Sequence, residues 1–75
     1  MKKLLKEYGF NSDMQYFEMI VESVVNGQRK QAVNQFAAMP KQYRKQFVLS
    51  LVKGYWSHSL NSTDIEMFIV YDYEK

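Results

Sequence analysis

Apolar residues recur at steps of three and four along most of the chain, which is the spacing of one face of an α-helix. This pattern predicts helices over residues 13–25, 28–39 and 40–53, after a short first helix over 2–8. The predicted inward stripes of the three longer helices are Met14, Phe17, Ile20, Val21, Val24 and Val25; Ala32, Val33, Phe36 and Ala37; and Tyr43, Phe47, Val48, Leu51 and Val52. Tyr16, Glu18 and Glu22 lie off the first stripe.

Signals that start and stop helices stand at the predicted boundaries. Ser12 followed three residues later by Gln15 fits a capping box, in which each side chain hydrogen-bonds the other residue's backbone. Residues that end helices are Gly9, Gly27, Pro40 and Gly54. Because the connections are very short, neighbouring helices should pack antiparallel.

The last third of the chain allows two interpretations. Residues 55–61 show no period and indicate a loop. Thr63 and Glu66 form a second capping pair and favour a helix over 64–73, with Ile65, Phe68, Ile69 and Tyr73 facing inward. Residues 65–71 are also rich in strand formers, so a strand stays open. Helix is preferred, because a lone strand would have no partner.

These elements predict an all-α fold, a compact bundle of four to five short helices with an antiparallel three-helix core. At 75 residues the chain forms one domain, 1–75, with little room for a deep cleft beside a stable core. Its hydrophobic content of 47% is sufficient for folding. The apolar residues off the main stripes, which predict a self-complementary patch in a homodimer, are Met19, Leu49, Met67 and Val70.

The sequence indicates a cytoplasmic protein outside the membrane. It contains no cysteine, whereas small secreted domains are usually stapled by disulfides. The basic start of the chain is not followed by the apolar run of a signal peptide. The longest apolar runs, 67–71 and 19–21, are too short to cross a bilayer.

Charge is distributed unevenly, although the formal net charge is only +2. Residues 1–22 and 64–75 are both net acidic. The segment between them contains no acid, and its cations are Arg29, Lys30, Lys41, Arg44, Lys45 and Lys53. Basic side chains beside the free N–H groups of helix starts suit anionic ligands. The same side chains can instead pair with the acidic ends of this chain or of a second copy.

Residues 55–58 form a second candidate binding feature. Tyr55, Trp56 and His58 lie in a predicted loop, and exposed tryptophan and tyrosine are favoured in interfaces. The preferred interpretation of Trp56 is that it folds back and covers the open end of the core.

Residue types that carry most catalytic and metal chemistry are scarce. His58 is the only histidine, and its neighbouring serines do not normally point at it, so they make no triad. Without cysteine, a metal site would rest on carboxylates such as Glu18 and Glu22. We therefore expect no catalytic residue, no metal site and no cofactor.

The stretch 16–52 combines a tyrosine-bearing helix, an Asn-Gly turn, a basic start to the next helix and a Met-Pro break. Its sequence is YFEMIVESVVNGQRKQAVNQFAAMPKQYRKQFVLSLV. It resembles a group of small uncharacterised helical proteins of gut anaerobes and their mobile elements. The resemblance covers about half of the chain and carries over no functional residue.

Two hypotheses about function follow. The first is a non-enzymatic protein-interaction module, with an unidentified protein or a second copy as partner, that uses the basic face and the loop 55–58. The alternative is a small nucleic-acid-binding or regulatory protein that uses the basic segment 28–53. A committed nucleic-acid binder usually carries a stronger net charge, so the first hypothesis is preferred.

Overall fold

The computed structural model describes residues 1–74, with side chains described as far as residue 73. In this range the chain forms five helices and no strand: α1 (Lys2–Tyr8), α2 (Asp13–Val25), α3 (Arg29–Ala37), α4 (Lys41–Val52) and α5 (Ser62–Glu74). The predicted all-α bundle is confirmed, and residues 65–71 are helical. Residues 53–59 form turns between α4 and α5.

The start of α2 is the capping box that the sequence predicts. The Gln15 backbone N–H donates to Ser12 Oγ at 3.4 Å, and the Ser12 N–H donates to Gln15 Oε1 at 3.2 Å. The end of α2 is equally specific, because Gly27 takes a left-handed conformation with φ of 82°. Its N–H donates to the Val24 carbonyl at 3.0 Å, so the chain turns back at once into α3.

The predicted capping pair of Thr63 and Glu66 is wrong, because the helix α5 is capped by Asn61 and Asp64. The Asp64 N–H donates to Asn61 Oδ1 at 2.9 Å, and the Asn61 N–H donates to Asp64 Oδ2 at 3.3 Å. The helix therefore begins at Ser62, two residues earlier than predicted. Asparagine ranks above threonine as an N-cap, which explains the earlier start.

The core is built around one phenylalanine from each of the helices α2 to α5. These rings are Phe17, Phe36, Phe47 and Phe68, and all four are buried. Their centroids lie 5.3 Å apart for Phe17–Phe47, 5.8 Å for Phe36–Phe47, 5.1 Å for Phe36–Phe68 and 5.3 Å for Phe47–Phe68. Tilted and edge-to-face rings at these distances stabilise a core beyond simple apolar burial.

Helix directions follow from two ion pairs. Arg44 in the first turn of α4 pairs with Asp72 in the last turn of α5, so these helices run antiparallel. Arg29 at the start of α3 pairs with Asp64 at the start of α5. The most extensive helix contacts are those of α2 with α3 and of α4 with α5. As a result, the basic starts of α3 and α4 lie at opposite ends of α5.

Several residues differ from their predicted burial. Tyr16, which lies off the predicted stripe, is fully buried because its hydroxyl donates to the Gln35 carbonyl at 2.7 Å. Five residues predicted to face inward are exposed: Met14, Val25, Val52, Ile69 and Tyr73. All but Ile69 lie in the first or last turn of their helices, where no neighbouring helix covers them.

Candidate interaction surface

Both arginines of the basic segment form ion pairs with aspartates of the same chain. Arg44 Nε lies 3.0 Å from Asp72 Oδ1, and both side chains are only 16% exposed. Arg44 Nη1 also donates to the Met39 carbonyl at 2.8 Å, which fastens the end of α3 to the start of α4. Arg44 thus joins α4 to α5 and to the connection between α3 and α4, and it offers little to a ligand.

Arg29 is engaged at the other end of α5. Its Nη2 lies 2.5 Å from Asp64 Oδ1, in the geometry of an ion pair without an aligned hydrogen bond. The Asp64 side chain is 7% exposed and that of Arg29 is 53% exposed, so the arginine covers the carboxylate from outside. A buried carboxylate needs such a partner.

The lysines of the basic segment are exposed and form no ion pair with the side chains that the structure describes. Lys30 lies in the first turn of α3, and Lys53 follows the end of α4. Lys41 and Lys45 share the outer face of α4. The exposed lysines therefore do not form one continuous basic face, and two of the four lie on α4.

The aromatic loop is divided between core and surface. Trp56 is half-buried against the core, and its Nε1–H donates to Ser50 Oγ at 3.3 Å. It therefore covers the core, as the preferred interpretation predicts. Tyr55 is 65% exposed and His58 is also exposed, so these two stay accessible.

Exposed apolar side chains lie on both α4 and α5. They are Leu49 and Val52 on α4, and Ile69, Val70 and Tyr73 on α5. Tyr73 is 90% exposed and Val52 is 64% exposed. We call these five residues, together with Lys41 and Lys45, the α4–α5 surface. Sequence reasoning missed this grouping because it assigned Val52, Ile69 and Tyr73 to the core.

Helix periodicity shows how the two outer faces join. Val48 lies one turn after Arg44, and Ile69 lies one turn before Asp72. Because the arginine and the aspartate are paired and the helices are antiparallel, Val48 and Ile69 follow along the same seam. Val48 and Ile69 thus lie next to the ion pair, along the line where α4 and α5 meet.

An open depression of about 460 Å³ runs along α5 and is lined by Thr63, Glu66, Met67 and Val70. Its lining offers one hydroxyl and one carboxylate, without a convergent set of polar groups. Among the side chains of residues 1–73, no three of the His, Cys, Asp and Glu types lie close enough to hold a metal ion.

Among the described side chains, Tyr16 is the one titratable group with a clear pKa shift, and its role is structural. Burial, together with nearby Tyr8 and Glu7, raises the pKa of Tyr16 to about 12. Its hydroxyl already donates to the Gln35 carbonyl inside the core. Tyr16 therefore holds α2 against α3 as a neutral side chain.

Comparisons of the chain with protein-family models, with curated proteins and with solved structures find no match. The resemblance of residues 16–52 to small helical proteins of gut anaerobes stays a prediction. None of the helices in the described part of the chain is both long and apolar enough to cross a bilayer.

Proposed function

We propose that this protein is a non-enzymatic, cytoplasmic protein-interaction module whose binding surface is the α4–α5 surface. The observation that carries the proposal is the exposure of five apolar side chains on two packed helices, together with lysines that form no ion pair among the described side chains. Exposed apolar residues bordered by charge are typical of protein-binding sites. The absence of cysteine supports a reducing compartment.

The chemistry of the surface indicates the kind of partner. Its α4 side carries Lys41 and Lys45 next to Leu49 and Val52, with no acid on that helix. An amphipathic helix with acidic residues beside its apolar face complements both the charge and the apolar character.

The engagement of the arginines weakens the nucleic-acid hypothesis. Arginine makes the bidentate contacts that phosphates favour, yet Arg29 and Arg44 are held by Asp64 and Asp72. The remaining lysines lie at both ends of the molecule. Nucleic-acid binding therefore serves as the competing outcome of the test.

The test is a binding series by fluorescence anisotropy with labelled probes. The probes are a synthetic helical peptide with one leucine-rich face flanked by glutamates, its lysine-substituted counterpart, and random duplex and single-stranded oligonucleotides. We expect the acidic peptide to bind and the lysine peptide not to bind. Oligonucleotide binding that falls steeply with salt, without peptide binding, would favour the alternative.

Two matched pairs of substitutions test whether the peptide binds at the α4–α5 surface. Lys41→Glu with Lys45→Glu should weaken peptide binding about tenfold or more, because it replaces attraction by repulsion. Lys2→Glu with Lys3→Glu changes the net charge equally on exposed positions of α1 and should leave binding nearly unchanged. Equal weakening by both pairs would show that only net charge matters, and the proposal would fail.

A further inference from the structure

The outer face of α2 carries an exposed stripe of its own. Met14, Glu18, Glu22 and Val25 are exposed and follow one another at steps of four, four and three. At this spacing they share one face of the helix. Neither glutamate pairs with a cation among the described side chains. The stripe has acids in the middle and an apolar residue at each end.

The outer face of α4 repeats this spacing with the opposite charge. Lys41, Lys45, Leu49 and Val52 also follow at steps of four, four and three. The two stripes therefore match in length along the helix axis. One chain thus carries both an acidic stripe and the basic, apolar surface that fits such a stripe.

We infer that the partner of the α4–α5 surface is a second copy of this chain, which docks the outer face of its α2 there. The inference rests on the proposed function and names the partner of that same surface. In a twofold dimer every contact occurs twice. When the helices run antiparallel with Glu18 opposite Lys45 and Glu22 opposite Lys41, the acidic stripe of each protomer meets the basic stripe of its partner.

The dimer also accounts for exposed apolar residues at two separate places on the chain. In that register Met14 lies opposite Leu49, so these two exposed apolar residues become covered in the same contact. Charge complementarity sets the choice of faces, because a contact of α4 with α4 brings lysines together.

The test uses charge exchange between the two stripes. Glu18→Lys with Glu22→Lys leaves a chain whose two stripes are both basic. Lys41→Glu with Lys45→Glu leaves a chain whose two stripes are both acidic. Sedimentation velocity over about two decades of protein concentration follows the mass of each variant alone and of their equimolar mixture, because dimerisation obeys mass action.

We expect wild-type protein to become a dimer as its concentration rises. Each variant alone should show a dissociation constant raised about tenfold or more. The mixture should dimerise again, since each variant supplies the stripe that the other needs. Lys2→Glu with Lys3→Glu is the control and should dimerise as the wild type does.

Four results would overturn the inference: a wild-type protein that stays monomeric, a mass that grows past the dimer, variants that dimerise unchanged, or a mixture that stays monomeric. Circular dichroism and Trp56 fluorescence verify that every variant is folded. A monomeric wild type that still binds the acidic peptide would refute the second copy and leave the proposed function standing.

Discussion

At Tyr16, a polar side chain acts as part of the core. The ring packs edge-to-face on Tyr8 with centroids 5.7 Å apart, and the hydroxyl donates to the Gln35 carbonyl. Periodicity alone places this residue off the apolar stripe of its helix. Only the position of α3 supplies the acceptor that lets it be buried, so sequence reasoning could not identify its role.

Replacement of Tyr16 by phenylalanine leaves the buried Gln35 carbonyl without this donor. We expect a loss of about 1–3 kcal/mol in the free energy of unfolding, measured by urea denaturation. Tyr73→Phe removes a hydroxyl from a side chain that is 90% exposed, so it should change stability by less than about 0.5 kcal/mol. Equal effects of the two substitutions would contradict the role assigned to Tyr16.

The raised pKa of Tyr16 predicts a dependence of stability on alkaline pH. Its pKa is about 12 in the folded protein and about 10 in the unfolded chain. The neutral form is therefore favoured by folding, so its contribution is complete below pH 10 and is lost between pH 10 and 12. The stability difference between wild type and Tyr16→Phe should shrink over that range, and a constant difference would refute this.

Arg44 and Lys45 are adjacent in sequence and differ in their structural role. Arg44→Met removes the partner of Asp72 and a donor to the Met39 carbonyl, so we expect a loss of about 1–3 kcal/mol in stability. Lys45→Met should change stability by less than about 0.5 kcal/mol. Chemical denaturation of the two variants measures both effects, and a stable Arg44→Met protein would show that the ion pair contributes little.

At the scale of elements, the start of α5 shows why a correct helix can be predicted from an incorrect cap. Both Thr63–Glu66 and Asn61–Asp64 have the spacing of a capping pair, so either predicts a helix in this region. The structure uses Asn61 and Asp64: asparagine is the better N-cap, and Asp64 also reaches Arg29 on α3. The second contact depends on tertiary packing and is absent from the local pattern.

Asp64 therefore serves both the cap and the ion pair, and two substitutions separate these contributions. Asp64→Asn keeps a hydrogen-bonding side chain for the cap and removes the charge that faces Arg29. Asp64→Ala removes both, and we expect it to cost about 1–3 kcal/mol, more than the asparagine variant. Thermal and urea unfolding of both variants test this order, and equal losses would show that the hydrogen bond from the Asn61 N–H to the Asp64 side chain contributes nothing.

The helix boundaries could be predicted more completely than the cap. The bounds of α1 and α2 agree with the predicted segments, and those of α3 and α4 differ by one or two residues. Apolar periodicity and glycine at helix ends are local signals, which explains this agreement. The phenylalanine cluster could also be predicted, since each ring lies on a predicted apolar stripe.

At the scale of the whole molecule, tertiary packing reduces the number of unpaired cations in the basic segment. Residues 23–63 contain no acid, yet α5 brings Asp64 and Asp72 to the two arginines. The candidate surface was only partly predictable for the same reason. Lys41 and Lys45 stand out in the sequence, whereas the exposure of Ile69 and Tyr73 depends on how α5 lies against α4.

The most direct test of the account is a map of amide chemical shifts by two-dimensional NMR during titration with the acidic amphipathic peptide. The account predicts shifts concentrated on α4 and α5, around Lys41, Lys45, Val52 and Ile69, with little change in α1 and α3. Shifts centred on other helices, or none at peptide concentrations that saturate the anisotropy signal, would contradict the central claim that the α4–α5 surface binds protein.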